Sequence, residues 1–194
     1  MKKYGYTFIE GEITDALIII DYYNCHLVYA ALGRNKFDLL KTAKSDFNKL
    51  YSKSNEKYNL IPLRIDKEKN GSMDNTDIVA IKQLIDDYRN LLNSVTFYYN
   101  TNIKYDIIFG TPFQRKVWNQ LHKLTPGKTI SYGQLAKSTM GKPNGQRAIA
   151  RACASNKLAL IIPCHFVVDK NGNFKGYRWG VDIKRKLLDK LSSK

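Results

Sequence analysis

Ser131-Tyr132-Gly133-Gln134-Leu135-Ala136-Lys137-Ser138 and Gln146-Arg147-Ala148-Ile149-Ala150-Arg151-Ala152-Cys153-Ala154-Ser155 are two short helical patterns. They are joined across the glycine-bearing turn Met140-Gly141-Lys142-Pro143. Ser131 is placed to accept a hydrogen bond from the first turn of its helix. Two short helices about a glycine turn make a helix-turn-helix. The second helix is rich in small residues, Ala148, Ala150, Ala152, Cys153 and Ala154, and its long side chains are chiefly Arg147 and Arg151, one turn apart. Small side chains let a helix approach a groove closely, and the arginines then reach phosphates or the base stack.

Upstream, Gly110-Thr111-Pro112 marks a boundary, with Thr111 as N-cap and Pro112 as the first helical residue. That helix runs from Phe113 to about Leu124, burying Phe113, Val117, Trp118, Leu121 and Leu124, and Thr125-Pro126-Gly127-Lys128 ends it. The expected domains are therefore 1–109 and 110–194. In the first, Ile13 to Asp21 and His26 to Leu32 read as paired strands. Phe37, Leu40, Phe47 and Leu50 recur at helical spacing. Residues 52–75 read as a polar loop with one apolar break at Leu60–Leu63. Thr76 is placed to cap a helix from Asp77 to about Leu92, with Ile78, Ile81, Leu84, Ile85 and Leu92 inward, and Ile103 to Phe109 reads as a further strand. The expected fold class is a small α/β N-terminal domain followed by a mostly α C-terminal domain.

Downstream lies Ile161-Ile162-Pro163-Cys164-His165-Phe166-Val167-Val168. A free thiol has a pKa of about 8.5 and is mostly protonated at neutral pH. A neighbouring histidine can take that proton and leave a thiolate. Pro163 fixes its own φ and pushes Ile162 toward extended backbone. The apolar flanks read as short buried strands that hold the nucleophile on a rigid floor. The bland alternative is a small buried hydrophobe.

Charge separates the halves. The 194 residues carry a formal net charge of +15. Residues 1–109 hold 15 Lys/Arg against 14 Asp/Glu, whereas residues 110–194 hold 17 against only Asp169, Asp182 and Asp189. A basic half that also carries the candidate nucleophile points to a polyanionic partner, most often nucleic acid. Cys25, Cys153 and Cys164 are too few for a disulfide framework and fit a reducing compartment. Cys25-His26 lacks the partners for a zinc site and reads as structural. No apolar run approaches the roughly 18 residues of a membrane helix, and no signal-peptide core follows Met1-Lys2-Lys3. A soluble intracellular protein is expected, with no membrane partner.

These segments together resemble the O6-alkylguanine-DNA alkyltransferases. The resemblance runs from about Gly110 to Leu188 and rests on Gly110-Thr111-Pro112-Phe113-Gln114, Val117-Trp118, Ile130 to Ala136, Arg147-Ala148, Ser155-Asn156, Ile162-Pro163-Cys164-His165 and Gly176-Tyr177-Arg178-Trp179-Gly180. It implies a ribonuclease-H-like N-terminal domain. It also implies single-turnover transfer of an alkyl group from O6 of a damaged guanine, or O4 of thymine, to Cys164. No cofactor and no metal are implied. The implied partner is double-stranded DNA carrying O6-alkylguanine, bound through its minor groove by a monomer. The protein would be cytoplasmic and nucleoid-associated, or nuclear in a eukaryote.

The resemblance also assigns roles. His165 draws the proton from Cys164 and Asn156 holds the turn around it. Tyr132 crowds the target phosphate, and Arg147 fills the vacated stack beside Ala148 and Arg151. Val167, Tyr177, Arg178, Trp179 and Cys153 line the pocket. Two positions depart from the family pattern: Phe166 stands where an arginine is usual, and Leu191 where a glutamate usually orients the histidine. Losing an orienting carboxylate slows such chemistry without abolishing it, so a slower alkyltransferase is expected. Trp179 is expected to narrow the pocket to methyl-sized groups. Two other readings remain open, a non-catalytic protein that binds alkylated DNA and a Cys-His hydrolase.

Overall fold

All six residues of β2 (Ala16–Asp21) and all six of β3 (Leu27–Leu32) are buried, with no alternation. A strand covered on both faces needs apolar side chains throughout, and the Ile18-Ile19-Ile20 run suits a pleated backbone. The computed structural model describes residues 1–65, 74–94, 102–124 and 127–192, and the chain divides into two compact units, Met1–Asp106 and Ile107–Lys194.

The first unit is built on a four-stranded sheet of order β3-β2-β1-β4. β1 (Lys2–Ile9) is antiparallel to β2, and β4 (Tyr58–Pro62) is parallel to β1. β1 was not expected from sequence, and β4 is a short element at the apolar break within the expected 52–75 loop. Both are only partly buried and mix polar with apolar residues, so they lack a period that stands out. Conversely, residues 103–109 form no strand beyond one parallel bridge between Tyr105 and Leu27. Asp106 is held there by Asn24 Nδ2 at 2.8 Å and His26 Nδ1 at 3.1 Å.

α1 (Lys36–Tyr51) buries Leu39, Ala43 and Phe47, while Phe37 is 73% exposed. The expected stripe of 37, 40, 47 and 50 loses to 39, 43 and 47. These three follow strict i, i+4 spacing, and Ala43 permits close approach to the sheet. Phe47 meets Tyr4 edge-on at 5.1 Å. α2 (Asn75–Asn93) begins at an Asp74/Asp77 capping box rather than at Thr76, and buries Tyr88 and Leu91 besides the five expected residues. Part of the expected 52–75 loop, residues 66–73, and the expected stop at Thr125-Pro126 lie outside the described residues.

The second unit comprises α3 (Pro112–His122), the two-residue strand β5 (Ile130–Ser131), α4 (Tyr132–Met140), α5 (Gln146–Ala154), β6 (Val167–Val168) and α6 (Val181–Ser192). Thr111 with Gln114 and Ser131 with Gln134 form reciprocal capping boxes that start α3 and α4. α4 stops at Gly141, whose φ of 75° is the left-handed C-cap conformation that glycine adopts freely. Trp118 on α3 is buried and donates from Nε1 to the Ala152 carbonyl of α5 at 2.8 Å. Gly110 sits under that indole at φ 94°, where a Cβ would stand 2.4 Å from the ring. β5 and β6 pair in parallel and tie the start of α4 to the segment after Cys164.

Candidate active site

Cys164 opens a single 3-10 turn, Cys164–Phe166. The expected strand before it is instead a succession of tight turns. Ile161 N–H donates to Ala159, Ile162 N–H to Leu158 and Cys164 N–H to Ile162. Leu160 adopts φ 67°, which is costly for a branched residue and persists where the surroundings over-determine it. Asn156 is that determinant. It is fully buried, its Oδ1 accepts from Leu158 N–H at 2.8 Å, and its Nδ2 donates to Ile162 O at 2.9 Å and to Cys164 Sγ at 3.2 Å. The Leu158 carbonyl lies farther, at 3.4 Å, as expected when two amide protons face three acceptors. Apolar residues are therefore bent around one amide, which also points an N–H at the sulfur.

A cavity of about 720 Å³ opens in front of that sulfur. Among the residues expected in the site, Tyr132, Arg151, Cys153, Cys164, Tyr177 and Arg178 share its wall. Four elements deliver them: the start of α4, the inner face of α5, the 3-10 turn and the loop before α6. The volume lies within the range of small-molecule pockets, enough for one nucleobase. Arg178 donates to the Ala154 carbonyl at the end of α5 at 3.2 Å, and its guanidinium lies 4.8 Å from the Trp179 ring. Trp179 itself is buried behind Arg178 and is not a wall residue. Arg147 and Ala148 are exposed on the first turn of α5, away from the wall. Val167 is fully buried and is not a wall residue either; its carbonyl accepts from Lys184 Nζ at 2.5 Å.

His165 is 1% exposed, with its ring 4.2 Å from that of Phe166. Burial, reinforced by the positive charge of Lys184, pushes its pKa down to about 3, so it is a neutral imidazole. Burial pushes the Cys164 thiol up, against the Asn156 hydrogen bond and the charges of Lys184 and Arg178, which pull it down. Burial also raises Tyr132 to about 12, with the Cys153, Cys164 and Asp169 charges adding to it, so its phenol keeps its proton. Leu191 falls in the last turn of α6, and its side chain is outside those described.

Sequence reasoning missed Lys184. Its signal was its place on the stripe of α6 that also carries Leu187, three residues on. It missed Asp169 and Phe174 on the cavity wall as well, because nothing local distinguishes loop residues that reach a pocket only through the fold. Among the described residues no group of three His, Cys, Asp or Glu side chains could hold a metal, and no helix is long and apolar enough to cross a membrane.

A basic four-helix unit that presents a buried, amide-held cysteine to a cavity with room for a base defines a nucleic-acid-directed thiol acceptor. The family model of the 6-O-methylguanine DNA methyltransferase DNA-binding domain matches residues 112–190. The chain is 35% identical over 190 residues to the methylated-DNA–protein-cysteine methyltransferase of Candida glabrata, covering 98% of this chain and 87% of that one. It is 36% identical over 184 residues to the protein of the same name from Saccharomyces cerevisiae, covering 95% and 90%. A crystal structure of Mycobacterium tuberculosis O6-methylguanine methyltransferase superposes with a TM-score of 0.65 at 22% identity, covering 98% and 93%, a likeness of fold. The chain belongs to the methylated-DNA–protein-cysteine methyltransferase family.

Proposed function

We propose that this protein repairs DNA by moving the methyl group of O6-methylguanine, and of O4-methylthymine, onto its own Cys164. The observation that carries the reading is Cys164 Sγ, held by Asn156 at 3.2 Å and opening onto a base-sized cavity. In one displacement the sulfur attacks the methyl carbon, an S–C bond forms and the C–O6 bond breaks. The electron pair leaves on the base, which takes up the proton the thiol gave away, and an unmodified guanine remains. The thioether has no group beside it able to cleave it, so each molecule acts once.

The surrounding residues serve that step. The lesion reaches the sulfur only if its nucleotide rotates out of the duplex, which costs a few kcal/mol and less for a mispaired base. α4, the Gly141 turn and α5 act as a helix-turn-helix monomer in the minor groove. Exposed Arg147 fills the stack beside Ala148, and Arg151 bridges groove and cavity. Tyr132, kept protonated, offers a hydroxyl to the phosphate or the base. The Tyr177-Arg178 backbone and Val167 bound the base. His165, adjacent to the nucleophile and neutral, relays the proton without storing it. Trp179 restricts alkyl size through Arg178, which it holds in place. The site of action is wherever the duplex is, nucleoid or nucleus.

Intact mass after incubation with a duplex bearing one O6-methylguanine tests the reading. The expected result is a gain of one methyl mapped to Cys164 and none in Cys164→Ala. Tight lesion binding without a mass gain would move the protein to the non-catalytic class.

A further inference from the structure

Ser131 pairs with Val168 in the parallel β5–β6 ladder, so Tyr132 and Asp169 come next on the two neighbouring segments. Both line the cavity in front of Cys164. Arg151, Lys175, Arg178 and Lys184 share that wall, and Asp169 is the only acid among the lining residues. The loop that follows holds Asp169 in place. Its N–H donates to the Asn173 carbonyl at 2.7 Å, and its carbonyl accepts from Gly172 N–H at 3.1 Å. Its Oδ1 accepts from the Asn171 and Asn173 N–H groups at 2.8 Å each. Among the described residues no group donates to Oδ2. One oxygen is thus committed to the loop, and the other is left for what enters the cavity.

An ionised carboxylate is an acceptor only. When a ligand displaces its water, the loss is made good only if the ligand brings a donor. The two lesions differ in this respect. O6-methylguanine has no hydrogen on N1, and its exocyclic amine carries its only N–H donors. O4-methylthymine has no hydrogen on N3 and no amine, so its ring presents acceptors alone. The first base satisfies the open oxygen, whereas the second sets lone pairs against it. The cations of the wall cannot receive the amine, since ammonium and guanidinium groups carry no acceptor. A site that hydrogen-bonds a substrate N–H rejects the analogue lacking it. We propose that Asp169 is a specificity-determining residue of the cavity, whose open oxygen accepts from the exocyclic amine of a flipped O6-alkylguanine and so favours guanine lesions over O4-methylthymine. The assignment deepens the alkyl-transfer reading and rests on it.

Single-turnover methyl uptake, read by intact mass, is compared on duplexes carrying O6-methylguanine, O6-methylhypoxanthine or O4-methylthymine. O6-methylhypoxanthine is the same purine without the amine. The parent is expected to react about tenfold or more faster with O6-methylguanine than with either of the others. Asp169→Asn keeps an Oδ1 acceptor for the loop and puts an NH2 donor where the open oxygen stood. It should slow O6-methylguanine about tenfold or more and leave O6-methylhypoxanthine within about twofold of the parent, so that the preference disappears. A purely structural role for Asp169 would slow every lesion alike. A variant that does so, or that keeps the parent's preference, overturns the proposal. A parent that treats O6-methylguanine and O6-methylhypoxanthine alike also overturns it, and that comparison decides alone if Asp169→Asn does not fold. Methyl uptake from none of the duplexes would instead refute the alkyl-transfer reading itself, and this assignment with it.

Discussion

β2 of the N-terminal unit buries six side chains in six residues, whereas α5 of the C-terminal unit buries three in nine, Ile149, Ala152 and Cys153. The first element exists to be covered. The second is an interface, packed on one face by α3 and α4 and exposed on the other. Charge follows the same division, with near balance in residues 1–109 and seventeen cations against three acids in residues 110–194. The buried polar groups differ too. In the first unit Asp15 is paired with Arg34 at 2.9 Å. In the second, Asn156 is buried against the thiol, His165 is buried next to it in the chain, and Lys184 is buried on the wall of the cavity that Cys164 lines. One unit has resolved its electrostatics for stability, and the other keeps buried polarity where chemistry needs it.

The largest expected effect tests the division of labour. Ile18→Ala removes a fully buried branched side chain from β2 and is expected to cost about 3 kcal/mol of stability. Its rate of methyl uptake per folded molecule should equal the parent's, as read by chemical denaturation and single-turnover mass spectrometry. A slowed folded variant would break the comparison by showing that the sheet contributes to chemistry.

Next comes acid stability. The folded pKa of His165 is about 3, below the unfolded value of about 6.5. The unfolded chain therefore binds the extra proton between these values, and stability falls as pH drops through that window. At pH 5 this contributes about 2 kcal/mol of destabilisation relative to pH 7. His165→Asn should flatten that part of the denaturation profile. An unchanged acid limb would place its origin elsewhere.

Smaller effects sharpen the comparison. Arg151→Ala should lower affinity for duplex DNA severalfold and reduce the slope of log K against log salt by about one, the mark of one lost phosphate contact. Lys41→Ala, on α1 of the near-neutral unit, should leave that slope unchanged. Thr111→Ala removes the reciprocal cap of α3 and should cost about 1 kcal/mol in thermal or chemical denaturation. Asn35→Ala should do the same to α1. Finally, O6-benzylguanine should inactivate the protein far more slowly than an O6-methylguanine duplex, and equal rates would refute the role given to Trp179 and Arg178.

In the second unit α3 and α4 were legible because their starts are written locally. Thr111-Pro112 with Gln114, and Ser131 with Gln134, satisfy orphan N–H groups within one turn. The buried β2–β3 pair was legible from its apolar runs. β1 was not, and β4 showed only as an apolar break in a polar loop, because a half-exposed strand is recognised by its partner and not by its own pattern. α1 showed two plausible stripes, and only the sheet beneath it selected 39, 43 and 47.

The site divides in the same way. Sequence alone determined that Cys164 and His165 are neighbours, that the basic charge surrounds them and that Arg147 and Arg151 lie one turn apart. It also determined membership of a recognisable pattern from about Gly110 to Leu188. Only the tertiary structure decided that Asn156 reaches the sulfur across eight residues, that Trp179 stands behind Arg178 and that buried Lys184 lines the same cavity as Cys164. The reason is physical. Capping and helical spacing act over three or four residues, whereas desolvation and charge pairing depend on which distant segments share a cavity.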